Sequence, residues 1–117
     1  MNILAICTAS SSGSIAICKD DQISFSSFLD IKVTHSERLL PQIDFGLKQC
    51  KLKMDDINLI AVANGPGSFT GIRIGLATAK GLCMGNQIPL YPVNTLELLA
   101  YNAFGTNLPI LPFIDAK

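Results

Sequence analysis

The sequence predicts an α/β fold: a mixed sheet with helices packed on it. Three observations predict it. The first thirty residues hold three strand-like runs joined by short turns. The apolar spacing then changes from a strand period to a helix period near residue 35. From there helix-like and strand-like stretches alternate to the end of the chain. Of the 117 residues, 49% are hydrophobic and 15% charged, enough for one domain with a real core. So apolar a composition in a small domain hints at a surface that a partner covers.

Residues 2 to 8, NILAICT, form an apolar run suited to a central strand buried on both faces. The turn ASSSG follows, then SIAICK as a second strand and DDQ as a second turn. ISFSSFL alternates apolar and polar, as a half-exposed strand does. Turns this short impose antiparallel pairing, because a parallel pair needs a long crossover. Thr34-His35-Ser36-Glu37 fits a capping box. Leu39, Leu40, Ile43, Leu47 and Cys50 follow at helical spacing, and Lys48, Lys51 and Lys53 suit the dipole at the far end. Pro41 is expected to kink this helix or delay its regular part. Asp55-Asp56 marks a turn, and INLIAVA a buried strand. A helix over roughly 71 to 84 comes next, then QIPLYPV as a short strand. Asn94-Thr95-Leu96-Glu97 caps a third helix, with Leu96, Leu99, Ala100 and Ala103 inward. LPILPFIDA begins one more strand. Hairpins followed by crossovers in this order are the pattern of a ribonuclease-H-like or actin-like lobe. Ending in strand-like sequence, the chain is expected to be one such lobe, residues 1 to 117, with a second lobe absent or shortened.

Several function classes are disfavoured. Nine basic and nine acidic residues give no net charge, and no basic tract invites nucleic acid directly. No run is long enough to span a bilayer, and the amino terminus lacks the basic region of a secretory signal. Cys7, Cys18, Cys50 and Cys83 have no metal-ligand spacing, which fits reduced thiols in a cytoplasmic protein. His35 is the single histidine, too few for a hydrolase triad or a paired-histidine metal site.

The segment NGPGSFTGIRIG, residues 64 to 75, lies where a phosphate often binds. It lacks the Lys-Ser/Thr of a Walker A loop. A dinucleotide fold needs an acid about 20 residues on, where only Glu97 stands, already read as a cap. Two readings stay open. Backbone N–H groups at the helix start, with Gly67, Ser68, Thr70, Gly71 and Arg73, could hold a phosphate or carboxylate. Alternatively, the glycines form a turn ordered by packing. The ASSSG turn offers Thr8, Ser10 and Ser11 to a phosphate as well. Cys7 stands where actin-like ATPases place an acid for magnesium, and a thiol is a poor ligand for that ion. A small ATPase or a hydrolase is the competing enzyme reading.

The helix after this loop is apolar or small around two thirds of its circumference. Ile72, Leu76, Ala79 and Cys83 make one face, and Gly71, Gly75, Thr78 and Leu82 the next, extended by Ile74, Gly81 and Gly85. Each interior glycine costs roughly 1 kcal/mol, which close packing can offset. That packing is against another chain or against helices of the same chain.

Three segments carry a family resemblance. MNILAICTASSSGSIAI resembles the opening strand-turn-strand of the TsaB (YeaZ) family, HSERLLP (His35 to Pro41) the start of its first helix, and GPGSFTGIRIGLATAKGL (Gly65 to Leu82) its most characteristic segment. The resemblance implies an actin-like fold of two lobes, with this chain the first. It implies a cytoplasmic, non-catalytic subunit in making threonylcarbamoyladenosine on tRNA, with no membrane role. The subunit dimerises with TsaD, works with the ATPase TsaE, forms a homodimer when alone and meets tRNA only through the complex. TsaC or its relative supplies the threonylcarbamoyl-adenylate. No cofactor is bound tightly, and ATP or ADP binds only at an interface shared with the partner. The resemblance places Ser36, Leu39, Leu40, Ile43 and Leu47 on the partner face with Ile72, Gly75, Leu76, Ala79 and Leu82. On that reading Gly75→Glu abolishes pairing and leaves the fold intact. Two departures stand out: Cys7 occupies the family's usual Asp position, and with the sequence stopping at Lys117 the second lobe is expected to be absent or shortened. Nothing in the chain resembles a protease site.

Overall fold

Alternate residues of the central strands decide which way the sheet faces. Leu4 and Ile6, Ile15 and Ile17, and Ile60 and Val62 are buried, while their neighbours Ile3, Ala5, Ala16, Cys18, Leu59 and Ala61 are half-buried. A period of two sorts each strand into two faces, and the larger branched side chains claim the one that the helices cover. The computed structural model describes residues 1–8, 12–20, 22–30, 35–66 and 69–94, with backbone alone at 12, 29, 30, 35–37 and 69.

The elements are β1 (Asn2–Cys7), β2 (Ser12–Lys19), β3 (Gln22–Asp30), α1 (His35–Gln49), a 3₁₀ turn (Met54–Asp56), β4 (Leu59–Ala63), α2 (Phe69–Asn86) and β5 (Leu90–Val93). They form one five-stranded sheet of order β3-β2-β1-β4-β5. The first three strands pair antiparallel, as their short turns require, with Ala5 opposite Ala16 and Ala16 opposite Ser26. β4 joins β1 in parallel, setting Ile6 beside Val62, and β5 joins β4 in parallel. Pro92 lies in β5, at the sheet edge where a missing N–H is tolerated. The mixed sheet with helices on it is the fold that the order of elements predicts.

Both helices bury one stripe in a common core. Leu39, Ile43, Leu47 and Cys50 of the α1 region meet Leu4, Ile6, Ile15, Ile17 and Ile60 of the sheet, with Ala79 and Cys83 of α2. The helix α1 continues through Pro41. The expected delay of its regular part does not occur. Beyond the helix Lys51 is left-handed at φ 58°, while Leu52 N–H donates to the Leu47 carbonyl at 2.9 Å and Lys51 N–H to that of Lys48 at 3.1 Å. These two bonds close a Schellman motif, usually completed by glycine. The helix α2 begins and ends two residues outside its predicted span. The Thr34 capping box, the third helix and the last strand lie outside the described residues.

Candidate functional site

Two features were expected to carry function: the loop before α2 and the faces of the two helices. The loop turns sharply, with Gly65 at φ +124° and a cis Gly65–Pro66 peptide. Only glycine adopts that φ without strain, so the turn itself requires it. α2 then starts at Phe69.

Thr8, just past β1, faces inward. Its side chain is 1% exposed, and its Oγ1 donates to the Gly71 carbonyl at 2.5 Å. One turn on, Gly75 passes so close that a Cβ there would collide with Thr8 Oγ1. Thr8 is thus a tie between β1 and the first turns of α2, and its hydroxyl is taken up by the fold. Thr8→Ala is expected to lower stability by about 1–3 kcal/mol through the lost buried hydrogen bond, read as a lower urea midpoint. Thr70 and Arg73 are exposed on α2, and Gly71 is buried. Ser10, Ser11, Gly67 and Ser68 lie outside the described residues. Cys7 ends β1, half-buried, opposite Ser14. Among the described residues no group of three or more His, Cys, Asp or Glu could hold a metal.

The expected partner face divides in two. Leu39, Ile43, Leu47 and Ala79 are buried in the chain's own core, and Gly75 is buried against Thr8. In the isolated chain the core covers Leu39, Gly75 and Ala79, while Ile43 and Leu47, also buried, reach the wall of the groove between the helices. Leu40 remains, 51% exposed, with Ile72, Leu76 and Leu82 partly so. The side chain of Ser36 lies outside the described residues. What the sequence reading missed is the surface beside that stripe. Phe45 is 55% exposed, its ring edge-on to Phe25 at 5.9 Å, and Met84 is 83% exposed. Gly81 and Gly85 are exposed, and a Cβ at either would meet nothing within 4 Å. Their signal was present in the composition of α2. What was missing was which side faced out.

Between the helices runs an open groove of about 790 Å³. Leu40, Ile43, Leu47, Leu52, Met54 and Leu82 give it apolar walls, and Asp44, Lys48, Lys51, Lys53 and Asn86 its polar rim. Lys48 Nζ meets Asp44 Oδ2 at 2.9 Å, one helical turn away. Three lysines within six residues, directly after an apolar helical stripe, are the sequence signal for this rim. On α2, burial pushes the Cys83 thiol above its ordinary pKa by disfavouring the thiolate. At pH 8 Cys7 and Cys18, both half-buried, are expected to react first with a thiol reagent, and Cys83 only after denaturation.

Among the described residues no helix is long and apolar enough to cross a membrane. The family model of TsaD, tRNA N6-adenosine threonylcarbamoyltransferase, matches residues 30–117. The chain is 38% identical over 117 residues to the tRNA threonylcarbamoyladenosine biosynthesis protein TsaB of Bacillus subtilis (strain 168), covering all of this chain and 51% of that one. It is 38% identical over 119 residues to the protein of the same name from Escherichia coli (strain K12), with the same coverage. YeaZ from Pseudomonas aeruginosa superimposes with a TM-score of 0.83 at 31% identity, over 88% of this chain and 48% of that one. The chain spans about half the length of the relatives it matches. With the mixed five-stranded sheet and both helices in the order of the actin-like lobe, the chain belongs to the family that this model describes, on its TsaB (YeaZ) side.

Proposed function

We propose that the chain is a non-catalytic subunit of the complex that places a threonylcarbamoyl group on adenosine of tRNA, and that it acts by pairing with TsaD. One observation carries the reading. Gly81 and Gly85 lie on the exposed side of α2, where Gly81, in the helix interior, costs roughly 1 kcal/mol. No contact within the described chain offsets that cost. A bare helical surface beside exposed Leu40 and Met84 suits close approach by another backbone. The coarse role in tRNA threonylcarbamoyladenosine biosynthesis comes from the relatives.

On this reading the interface is Leu40, Leu82 and the outer flank of α2, with Ile72 and Leu76 at its margin. TsaE acts on the pair, tRNA is met only through the complex, and the setting is the cytoplasm. A homodimer through the same surface forms when TsaD is absent. The chain alone holds no cofactor tightly. ATP or ADP is held only where the partner completes a site beside Thr70 and Arg73. The buried, already bonded Thr8 supports this, since it leaves the chain's own loop one hydroxyl poorer.

The test is light scattering of the chain mixed with TsaD from the same cell. A single species at the summed mass is expected. Two species at their separate masses would overturn the proposal.

A further inference from the structure

We infer that β3 is a pairing edge: a second copy of this chain lays its own β3 antiparallel against it, so that two five-stranded sheets become one. The inference is independent of the proposed pairing with TsaD. That pairing uses the flank of α2, which packs over β4, β1 and β5, whereas β3 is the opposite edge of the sheet.

The two edges of the sheet are built differently. β5 has four residues and carries Pro92, and short length and proline both blunt an exposed edge. β3 has nine residues, and no charge or proline stands between Gln22 and Leu29. The bulge between β2 and β3 lies at Ile17/Cys18, near the start of β3, and leaves Phe25 onward regular. An edge of that length and composition is a template for another strand. The side chains beside it are uncovered as well. Phe28 is 79% exposed and Ile23 70%, opposite Ser14 and Cys18 of β2 on the face away from the helices. On the helix side the exposed Phe45 stands edge-on to Phe25, and it does not line the groove between the helices.

A second copy suits this edge because the strand complements itself. A two-fold contact presents the segment to its own reverse. The regular part, FSSFL over 25–29, then meets itself about Ser27. Phe28 comes beside Ser26 of the second copy, Phe25 comes beside Leu29 of the second copy, and the two Phe28 rings meet on the diagonal. Bulky thus faces small, and apolar faces apolar. The segment holds no charge, so no like charges oppose the contact. An axis perpendicular to the sheet keeps the helices of both copies on one side and brings each Phe45 toward the junction.

The experiment is light scattering of the Gly81→Arg chain, whose α2 flank is blocked, with and without Phe28→Lys, from low to high concentration. Circular dichroism checks that each form is folded. The Gly81→Arg chain is expected to dimerise as concentration rises, with the amides of β3 exchanging hydrogen more slowly in the dimer. Adding Phe28→Lys is expected to weaken that self-association about thirtyfold or more, because two lysines replace two rings on the diagonal. Phe28→Lys alone is expected to keep wild-type affinity for TsaD in titration calorimetry. A Gly81→Arg chain that stays monomeric at every concentration would overturn the inference and leave the pairing with TsaD untouched. A dimer that Phe28→Lys does not weaken, with no slower exchange in β3, would also overturn it. Loss of TsaD binding in the folded Phe28→Lys chain would assign the edge to TsaD and overturn the second copy as its occupant. Failure of the wild type to bind TsaD would overturn the proposed pairing alone.

Discussion

Gly75→Glu is expected to yield no stably folded chain. Gly75 is the point where α2 comes closest to the end of β1, and a Cβ there would collide with Thr8 Oγ1. Overpacking of this kind costs about 1–3 kcal/mol for a single added carbon. The glutamate would add a buried carboxylate with no cation beside it, worth several kcal/mol more. The sum is comparable to the whole stability of a small domain, roughly 5–15 kcal/mol. Loss of the cooperative melt by circular dichroism is the expected reading, and a melt near that of the wild type would place Gly75 at the surface. The cause can be isolated with a milder pair. Once Thr8 Oγ1 is removed, the new Cβ would next meet Thr8 Cβ at 3.6 Å and Ile6 Cγ2 at 3.7 Å, both ordinary contacts. Gly75→Ala is therefore expected to be costly in the wild type and close to neutral in a Thr8→Ala background. The coupling between the two is expected to be about 1–2 kcal/mol in a double-mutant cycle.

Gly81→Arg is expected to do the opposite: leave the isolated chain folded and abolish its pairing. Gly81 is exposed in the interior of α2 with open space where its Cβ would be. Replacing glycine there improves helix propensity by about 0.7–1 kcal/mol, so the melting temperature should hold or rise. If a partner backbone approaches this surface closely, a long cationic side chain removes that approach. The expected loss is about 100-fold or more in affinity for TsaD, near 3 kcal/mol, measured by titration calorimetry. Unchanged affinity would move the interface off this flank of α2. The two glycines, six residues apart on one helix, thus separate folding from pairing. The charge that probes the interface belongs at Gly81 and not at Gly75.

The strands were legible because their signals are local. Alternation in ISFSSFL, the short turns and the apolar INLIAVA each constrain backbone within a few residues, and the structure has β3 and β4 there. The inner stripe of α1 was equally legible as apolar. Its partner was not, because a periodic pattern states that a face is buried without stating against what. Leu39, Ile43 and Leu47 read the same whether a sheet or another protein covers them, and here it is the sheet. α2 was harder still. With small or apolar residues around most of its turn, its sequence leaves the inward side open. Packing of Ala79 and Cys83 into the core fixes it and sends Gly81, Met84 and Gly85 outward.

Sequence alone determined the order of the elements, the antiparallel start of the sheet, the rejection of a Walker A loop and the resemblance to the TsaB (YeaZ) family. These follow from residue types, turn lengths and spacings within single segments. Only the tertiary structure decided that Thr8 ties β1 to Gly71, that Gly75 belongs to the interior, and that three lysines border an apolar groove. Thr8 and Gly71 are 63 residues apart in sequence. Parallel pairing of β1 with β4, and the return of the chain through α2, bring them within hydrogen-bonding distance. No period or local propensity encodes a contact of that range, because it arises from how the segments pack and not from any one of them.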